Sequence, residues 1–122
     1  MSASPRVLVT RPAGQCEALC DALTQAGFDV RAVPVIDIVP HADRDAVRAS
    51  FKDLPDTDLL IFVSRNAVRH ALADLPPVDD IRATIVAVGP ATARELIDQG
   101  LRCDVAPEGG FTSEALLAHS AL

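Results

Sequence analysis

The sequence predicts an α/β fold, a parallel sheet with alternating βα units, and three observations carry that expectation. Short runs rich in Val, Ile and Leu recur at 6–10, 59–63 and 84–88. Each is followed by a turn bearing Gly, Pro or Ser and then by apolar residues at helical spacing. Hydrophobic residues make up 49% of the 122, ample for a core, and the aromatics are only 3%, all Phe, so that core must be aliphatic.

In chain order, RVLVT at 6–10 is the first strand and Pro12 with Gly14 the turn after it. Cys16, Leu19, Cys20 and Leu23 then mark one side of a helix, and Gly27 closes it as the residue just past its end. The run at 30–39 is again β-rich, but Pro34 and Pro40 lack an N–H, which makes it an edge strand or a connector. Residues 43–51 read as an amphipathic helix with Ala46, Val47, Ser50 and Phe51 inward. LLIFV at 59–63 is an uninterrupted apolar strand of the kind a parallel sheet buries on both faces.

Ser64 caps the next helix, whose inner face is Ala67, Val68, Ala71 and Leu72. After Pro76 and Pro77, TIVAV at 84–88 is a second buried strand, with Pro90 well suited to the first position of a helix that runs to Gln99 and stops at Gly100. A short strand at 103–106 leads through Glu108, Gly109 and Gly110 into a helix begun by Thr112 or Ser113. Such alternation calls for right-handed crossovers and helices on both faces of the sheet.

A formal net charge of -6 argues against nucleic acid or an anionic membrane as partner, since neither releases counterions to an acidic surface. Without Tyr or Trp there is no base-stacking platform either. The three cysteines are odd in number and form no CxxC pair, so neither a disulfide framework nor a zinc site is indicated, and a reducing compartment is. With no signal pattern at the start and no apolar run of membrane-spanning length, a cytoplasmic location is expected.

Ligands of an open parallel sheet bind outside the carboxyl ends of its strands. Four turns qualify: 10–15, 64–67, 89–93 and 108–113. Each offers free N–H groups and the positive end of a helix dipole, an anion site even in an acidic protein. Arg11 can add a guanidinium fork there or stand solvated in a surface turn. Ser64 and Asn66 can donate to a ligand, Ser64 equally being a plain cap, and Thr92 can cap its helix or face the strand ends. Gly109 and Gly110 make a turn and leave room for close backbone approach. Neither GxGxxG nor GxxxxGK[ST] is present, and Cys16 and Cys20 lack further ligands at metal-binding spacing, so no metal is expected. His41, His70 and His119 are scattered and take no role.

At these turns, VLVTRPAGQ at 7–15, LLIFVSRNAV at 59–68, AVGPATA at 87–93 and PEGGFTSEALL at 107–117, in this order, resemble the uroporphyrinogen-III synthase family. The resemblance implies an enzyme without a cofactor that closes linear hydroxymethylbilane into uroporphyrinogen III, losing water and inverting the last pyrrole ring through a spiro intermediate. It implies two α/β lobes joined by extended linkers, with the substrate in the cleft between them. Residues 1–39 would be part of the first domain with its crossing strand, and 40–122 part of the second. On the matching motifs, Arg11, Ser64, Asn66, Gly89, Thr92, Gly109, Gly110 and Ser113 become candidate substrate-binding residues, and no residue is assigned as catalytic. A substrate ringed with acetates and propionates suits N–H groups at helix starts.

The chain departs from the family at Val63, where many members have Thr, and it has no Tyr to supply the family's cleft tyrosine. Relative to the family the C-terminal half is missing, so the chain is expected to be incomplete, inactive alone and marginally stable. Self-association is expected through the unpaired edge of 59–63 or 84–88, by exchange of residues 6–39 across the crossing near Pro40. The alternative is a non-catalytic anion-binding or regulatory module derived from the same fold. A receiver-like domain is disfavoured because Arg11, not an acidic cluster, follows the first strand.

Overall fold

A computed structural model describes residues 3–110 and 112–119 and shows a mixed α/β chain with two small parallel sheets, in separate units, Met1–Val39 and Pro40–Leu122. In the first unit, β1 (Arg6–Val9) pairs in parallel with β2 (Asp29–Ala32), Arg6 opposite Asp29 and Val9 opposite Ala32. The helix between them, α1 (Glu17–Gln25), ends where expected: Gly27, at φ 92°, lets its own N–H and that of Phe28 turn back onto the Thr24 and Leu23 carbonyls. The helical face is shallower than its spacing implied. Cys16 is buried but stands one residue before the helix, and Leu19 is exposed. Of the edge strand or connector expected over 30–39, the strand ends at Ala32 and the rest is connector; Val33 donates the last bond, to Val9, and Pro34 has no N–H with which to continue.

In the second unit, α2 (Arg44–Ser50) is capped by Asp43, whose Oδ1 accepts the Ala46 N–H at 3.0 Å. Its presumed inner face is not buried: Ala46 and Ser50 are exposed, and Val47 and Phe51 only half-buried. Charge holds this helix instead. Arg44 Nη2 at 2.6 Å and Arg48 Nε at 3.0 Å share the two oxygens of Asp74, a carboxylate with no exposed surface.

β3 (Leu59–Phe62) and β4 (Thr84–Ala87) run in parallel, Leu59 opposite Thr84 and Phe62 opposite Ala87. Between them lies α3 (Arg65–Ala71), and after them α4 (Pro90–Asp98) and α5 (Ser113–Leu117). Phe62, Ile85 and Ala87 face Val68 of α3 and Leu96 of α4, with Leu54, Ile81, Ala83 and Leu101 closing this core. On the opposite face Val86 packs with Val105 and with Leu116 of α5.

Two strand expectations need correction. β3 is buried on one face only, because Leu59 and Ile61 are 41% and 44% exposed and Val63 beyond it 68%. The strand foreseen at 103–106 is reduced to one parallel bridge, Val86 to Val105, since Asp104 bends its carboxylate back to the Ile85 N–H instead of extending a ladder.

Candidate functional site

Register brings three of the four turns level. Phe62 lies beside Ala87, and Val86 beside Val105, so Ser64, Gly89 and Glu108 each fall two residues past the same rung at the carboxyl edge of the sheet. That edge is where a parallel sheet presents helix starts.

Ser64 begins α3 in an extended conformation, and its Oγ accepts the Ala67 N–H at 3.0 Å. The hydroxyl thus caps the helix with a lone pair, and its proton still needs an acceptor. Asn66, in the first turn of the same helix, is half-buried.

Gly89 is buried and precedes α4, and Pro90 takes the first helical position as its fixed φ allows. The first helical bond is donated by Ala93 to the Gly89 carbonyl at 3.0 Å. The N–H groups of Ala91 and Thr92 come before that bond and no side chain caps them. Thr92 is only 6% exposed, and among the described residues nothing hydrogen-bonds to its hydroxyl. It does not cap the helix, which removes one of the two roles open to it in the sequence. Val63, Val88, Gly89, Pro90, Ala91 and Thr92 line a cavity of about 270 Å³ over these groups. The arrangement is an apolar-walled pocket floored by N–H donors and the positive end of a nine-residue helix, a place for a carboxylate carried on a hydrophobic ring.

The 107–110 turn runs beside it. Gly110 approaches α5 closely: a Cβ there would lie 3.0 Å from the Ala115 Cβ, inside ordinary carbon contact. Around Gly109 there is open space within 4 Å. Thr112 rather than Ser113 caps α5, accepting the Ala115 N–H at 3.3 Å, and Ser113 is its exposed first residue. A larger cavity of about 650 Å³ lies between α4 and this turn, lined by Ala93, Arg94, Ile97, Cys103, Pro107 and Glu108 among others. Burial pushes the Cys103 thiol up from its ordinary pKa, which keeps it protonated. Arg11 belongs to the Met1–Val39 unit, exposed in the bend after β1.

The fold therefore gathers Ser64, Asn66, Gly89, Thr92, Gly109 and Gly110 along one edge of one unit, sets Ser113 at the start of α5, and carries Arg11 on the other unit. Reading for polar side chains passed over Ala91, which contributes only an N–H, and Val63 and Val88, which make the apolar walls. Among the described residues no cluster of three or more His, Cys, Asp or Glu gathers as for a metal, and no helix is long and apolar enough to cross a membrane.

Two bonds stiffen the floor of the site. Arg69 of α3 grips Glu95 of α4 through Nε to Oε1 at 2.8 Å and Nη2 to Oε2 at 3.0 Å, and Gln99 adds a third donor at 2.9 Å. These donors hold the Glu95 carboxyl below its ordinary pKa, Arg69 foremost, and tie together the two helices whose starts frame the edge.

Comparison with known proteins agrees with this fold. The crystal structure of uroporphyrinogen-III synthetase from Helicobacter pylori superposes with a TM-score of 0.72 at 21% sequence identity, over 92% of this chain and 50% of that one. The present chain thus spans about half the length of that structure. Among curated proteins nothing matches. The family model described as uroporphyrinogen-III synthase HemD matches residues 17–121, most of the chain, and this protein belongs to that family.

Proposed function

We propose that the chain forms a substrate-binding portion of a uroporphyrinogen-III synthase, acting in tetrapyrrole biosynthesis on hydroxymethylbilane. The reaction closes the linear tetrapyrrole by carbon–carbon bond formation, with the hydroxymethyl oxygen leaving as water and the last ring inverted. The observation that supports this most is the uncapped start of α4, where the N–H groups of Ala91 and Thr92 and the unpartnered hydroxyl of the buried Thr92 floor an apolar-walled pocket. Pyrrole rings with acetate and propionate arms present that combination of apolar face and carboxylate. Ser64, Asn66 and the 109–110 turn extend the same edge and would hold further carboxylates.

In this reading the residues bind and orient, and the chemistry gains from holding the ends of a flexible chain together, an effect that can supply about 7–11 kcal/mol of a barrier. No cofactor enters it, and a cytoplasmic setting fits the free thiols Cys16, Cys20 and Cys103. The test is a coupled assay that separates type III product from the type I product of spontaneous closure, run beside direct titration of the chain with hydroxymethylbilane. Saturable binding supports the reading, and absence of binding overturns it.

A second reading rests on the same uncapped start of α4, which can hold an anion whether or not turnover follows: an anion-binding module of the same fold without turnover. Binding without type III product would select it.

A further inference from the structure

We propose that Arg65 is the cation of the site at the start of α4 and forks the carboxylate seated on the Ala91 and Thr92 N–H groups. This rests on the substrate-binding reading above and names the charge partner of that carboxylate. Arg65 is the first residue of α3, whose first turn holds no acidic residue. A cation there opposes the helix dipole and costs stability. Nothing in the fold offsets this: Arg65 is half-buried, yet among the described residues it makes no hydrogen bond or ion pair.

Two observations set where its guanidinium lies. Arg65 precedes Arg69 by four residues and so shares its face of α3, the face from which Arg69 grips Glu95 of α4. After Arg69 and Gln99, Arg65 also helps hold the Glu95 carboxyl low, acting through space. No bond joins Arg65 to Glu95, whose oxygens already accept from Arg69 and Gln99. Arg65 therefore stands over the groove between α3 and α4, one turn nearer the helix starts than the Arg69–Glu95 pair. One turn before Glu95 on α4 is Thr92, buried, with a hydroxyl that bonds to nothing among the described residues and lines the cavity of about 270 Å³. A carboxylate has about four acceptor sites, enough for both arms of a guanidinium fork and the donors at the α4 start. The ligand class that fits is a flat apolar ring with a short carboxylate arm, the ring against Val63 and Val88 and the arm on these donors.

The probe is indole-3-propionate, a ring with one carboxylate arm, titrated into the nitrogen-labelled chain while the Arg65 Nε and the Ala91 and Thr92 amides are followed by NMR. Calorimetric titration with hydroxymethylbilane runs beside it. The expected result is that all three resonances shift together and saturate. Arg65→Met should weaken binding of the ring acid roughly tenfold or more, and Arg65→Lys should recover only part because an ammonium lacks the fork. The thermal midpoint of Arg65→Met should equal or exceed that of the parent, since a cation leaves a helix start. Amides that shift while Arg65 Nε stays still, Arg65→Met titrating as the parent does, or no shift with the ring acid overturns the proposal. If the ring acid titrates through Arg65 but hydroxymethylbilane does not bind, Arg65 keeps its role in an anion site and the reading of the substrate falls.

Discussion

Arg102 and Asp104 fasten the segment after α4 to the sheet: Arg102 Nε donates to Asp104 Oδ2 at 3.1 Å, and that oxygen also accepts the Ile85 N–H at 2.7 Å. The other guanidinium nitrogens reach the Val78, Ile81 and Ala83 carbonyls at 3.1, 2.7 and 2.8 Å. This ion pair works beside three backbone bonds, Asp104 and Val105 N–H to the Ile85 carbonyl and Ala87 N–H to the Val105 carbonyl, to fix residues 102–105 on the sheet and so set where the 107–110 turn emerges.

Arg102→Met should therefore cost more than an ordinary surface change. It removes a charged donor from three carbonyls and a carboxylate, of which the Asp104 carboxylate keeps the Ile85 N–H and the Val78 carbonyl the Ile81 N–H; charge-assisted hydrogen bonds contribute about 1.5–3 kcal/mol each in favourable cases, so a loss of roughly 2–3 kcal/mol in all is expected after solvent replaces part of them. Arg102→Lys should recover only part of this, since an ammonium cannot fork to several acceptors. Urea midpoints of the three proteins are the measurement, and an unmoved midpoint in Arg102→Met would refute the role.

Thr92→Val separates binding from stability. The substitution keeps the shape and removes a hydroxyl that caps nothing, so the penalty of about 1 kcal/mol that follows loss of a true cap should not appear. Titration with hydroxymethylbilane should show affinity weakened several-fold while the thermal midpoint stays close to that of the parent. A lowered midpoint with unchanged affinity would assign the hydroxyl to the fold.

Much of this site was legible because its signals are local. Ser64 before an apolar helix face, Pro90 after Gly89, and Gly27 and Gly100 just past their helices act within one turn of chain, and the structure uses each as its chemistry dictates. The fastenings between elements were not legible. Arg69 with Glu95 and Arg44 and Arg48 with Asp74 join residues 26 to 30 apart, and nothing in their flanking sequence distinguishes them from solvated charges. Nor could the composition of LLIFV reveal its open face. An apolar run reads alike whether one face or two are covered, and the exposure of Leu59 and Ile61 is a property of what packs beside them. The 30–39 run left two readings open for a related reason: Val35, Ile36, Ile38 and Val39 are β-formers by composition, yet they lie exposed in an irregular segment after Pro34, the connector rather than the edge strand.

Glu95 makes a prediction about acid. Its folded pKa lies below the ordinary 4.5 because Arg69, then Gln99, donate to the carboxylate. A group with a depressed folded pKa contributes stability that is fully present above its unfolded value and is lost as pH falls from there through the folded value. Parent and Glu95→Gln should accordingly differ in stability near neutrality and converge as pH drops below 4.5. Asp29, held low by Arg6, acts in the same direction, but both partners are exposed and salt screens them. Repeating the denaturation series in high salt should leave the Glu95 difference largely intact. A gap between parent and variant that persists unchanged into acid would show that the Arg69 pair is not its source.

Ser64 allows the sharpest division between fold and function, because one position can keep its cap while its charge is changed. Its Oγ accepts the Ala67 N–H at 3.0 Å, a task that Asp performs as well as Ser at a helix start, and Asp also suits the dipole there. Ser64→Asp should therefore be as stable as the parent, and Ser64→Ala less stable by about 1 kcal/mol. For a carboxylate-rich ligand the order differs. Ser64→Ala loses a single donor and should bind hydroxymethylbilane a few-fold more weakly, whereas Ser64→Asp sets a negative charge where a carboxylate would rest and should abolish binding. Thermal midpoints and titrations on the same three samples read both orders. If Ser64→Asp binds as the parent does, Ser64 is a cap and nothing more, and the carboxylates lie elsewhere along the edge.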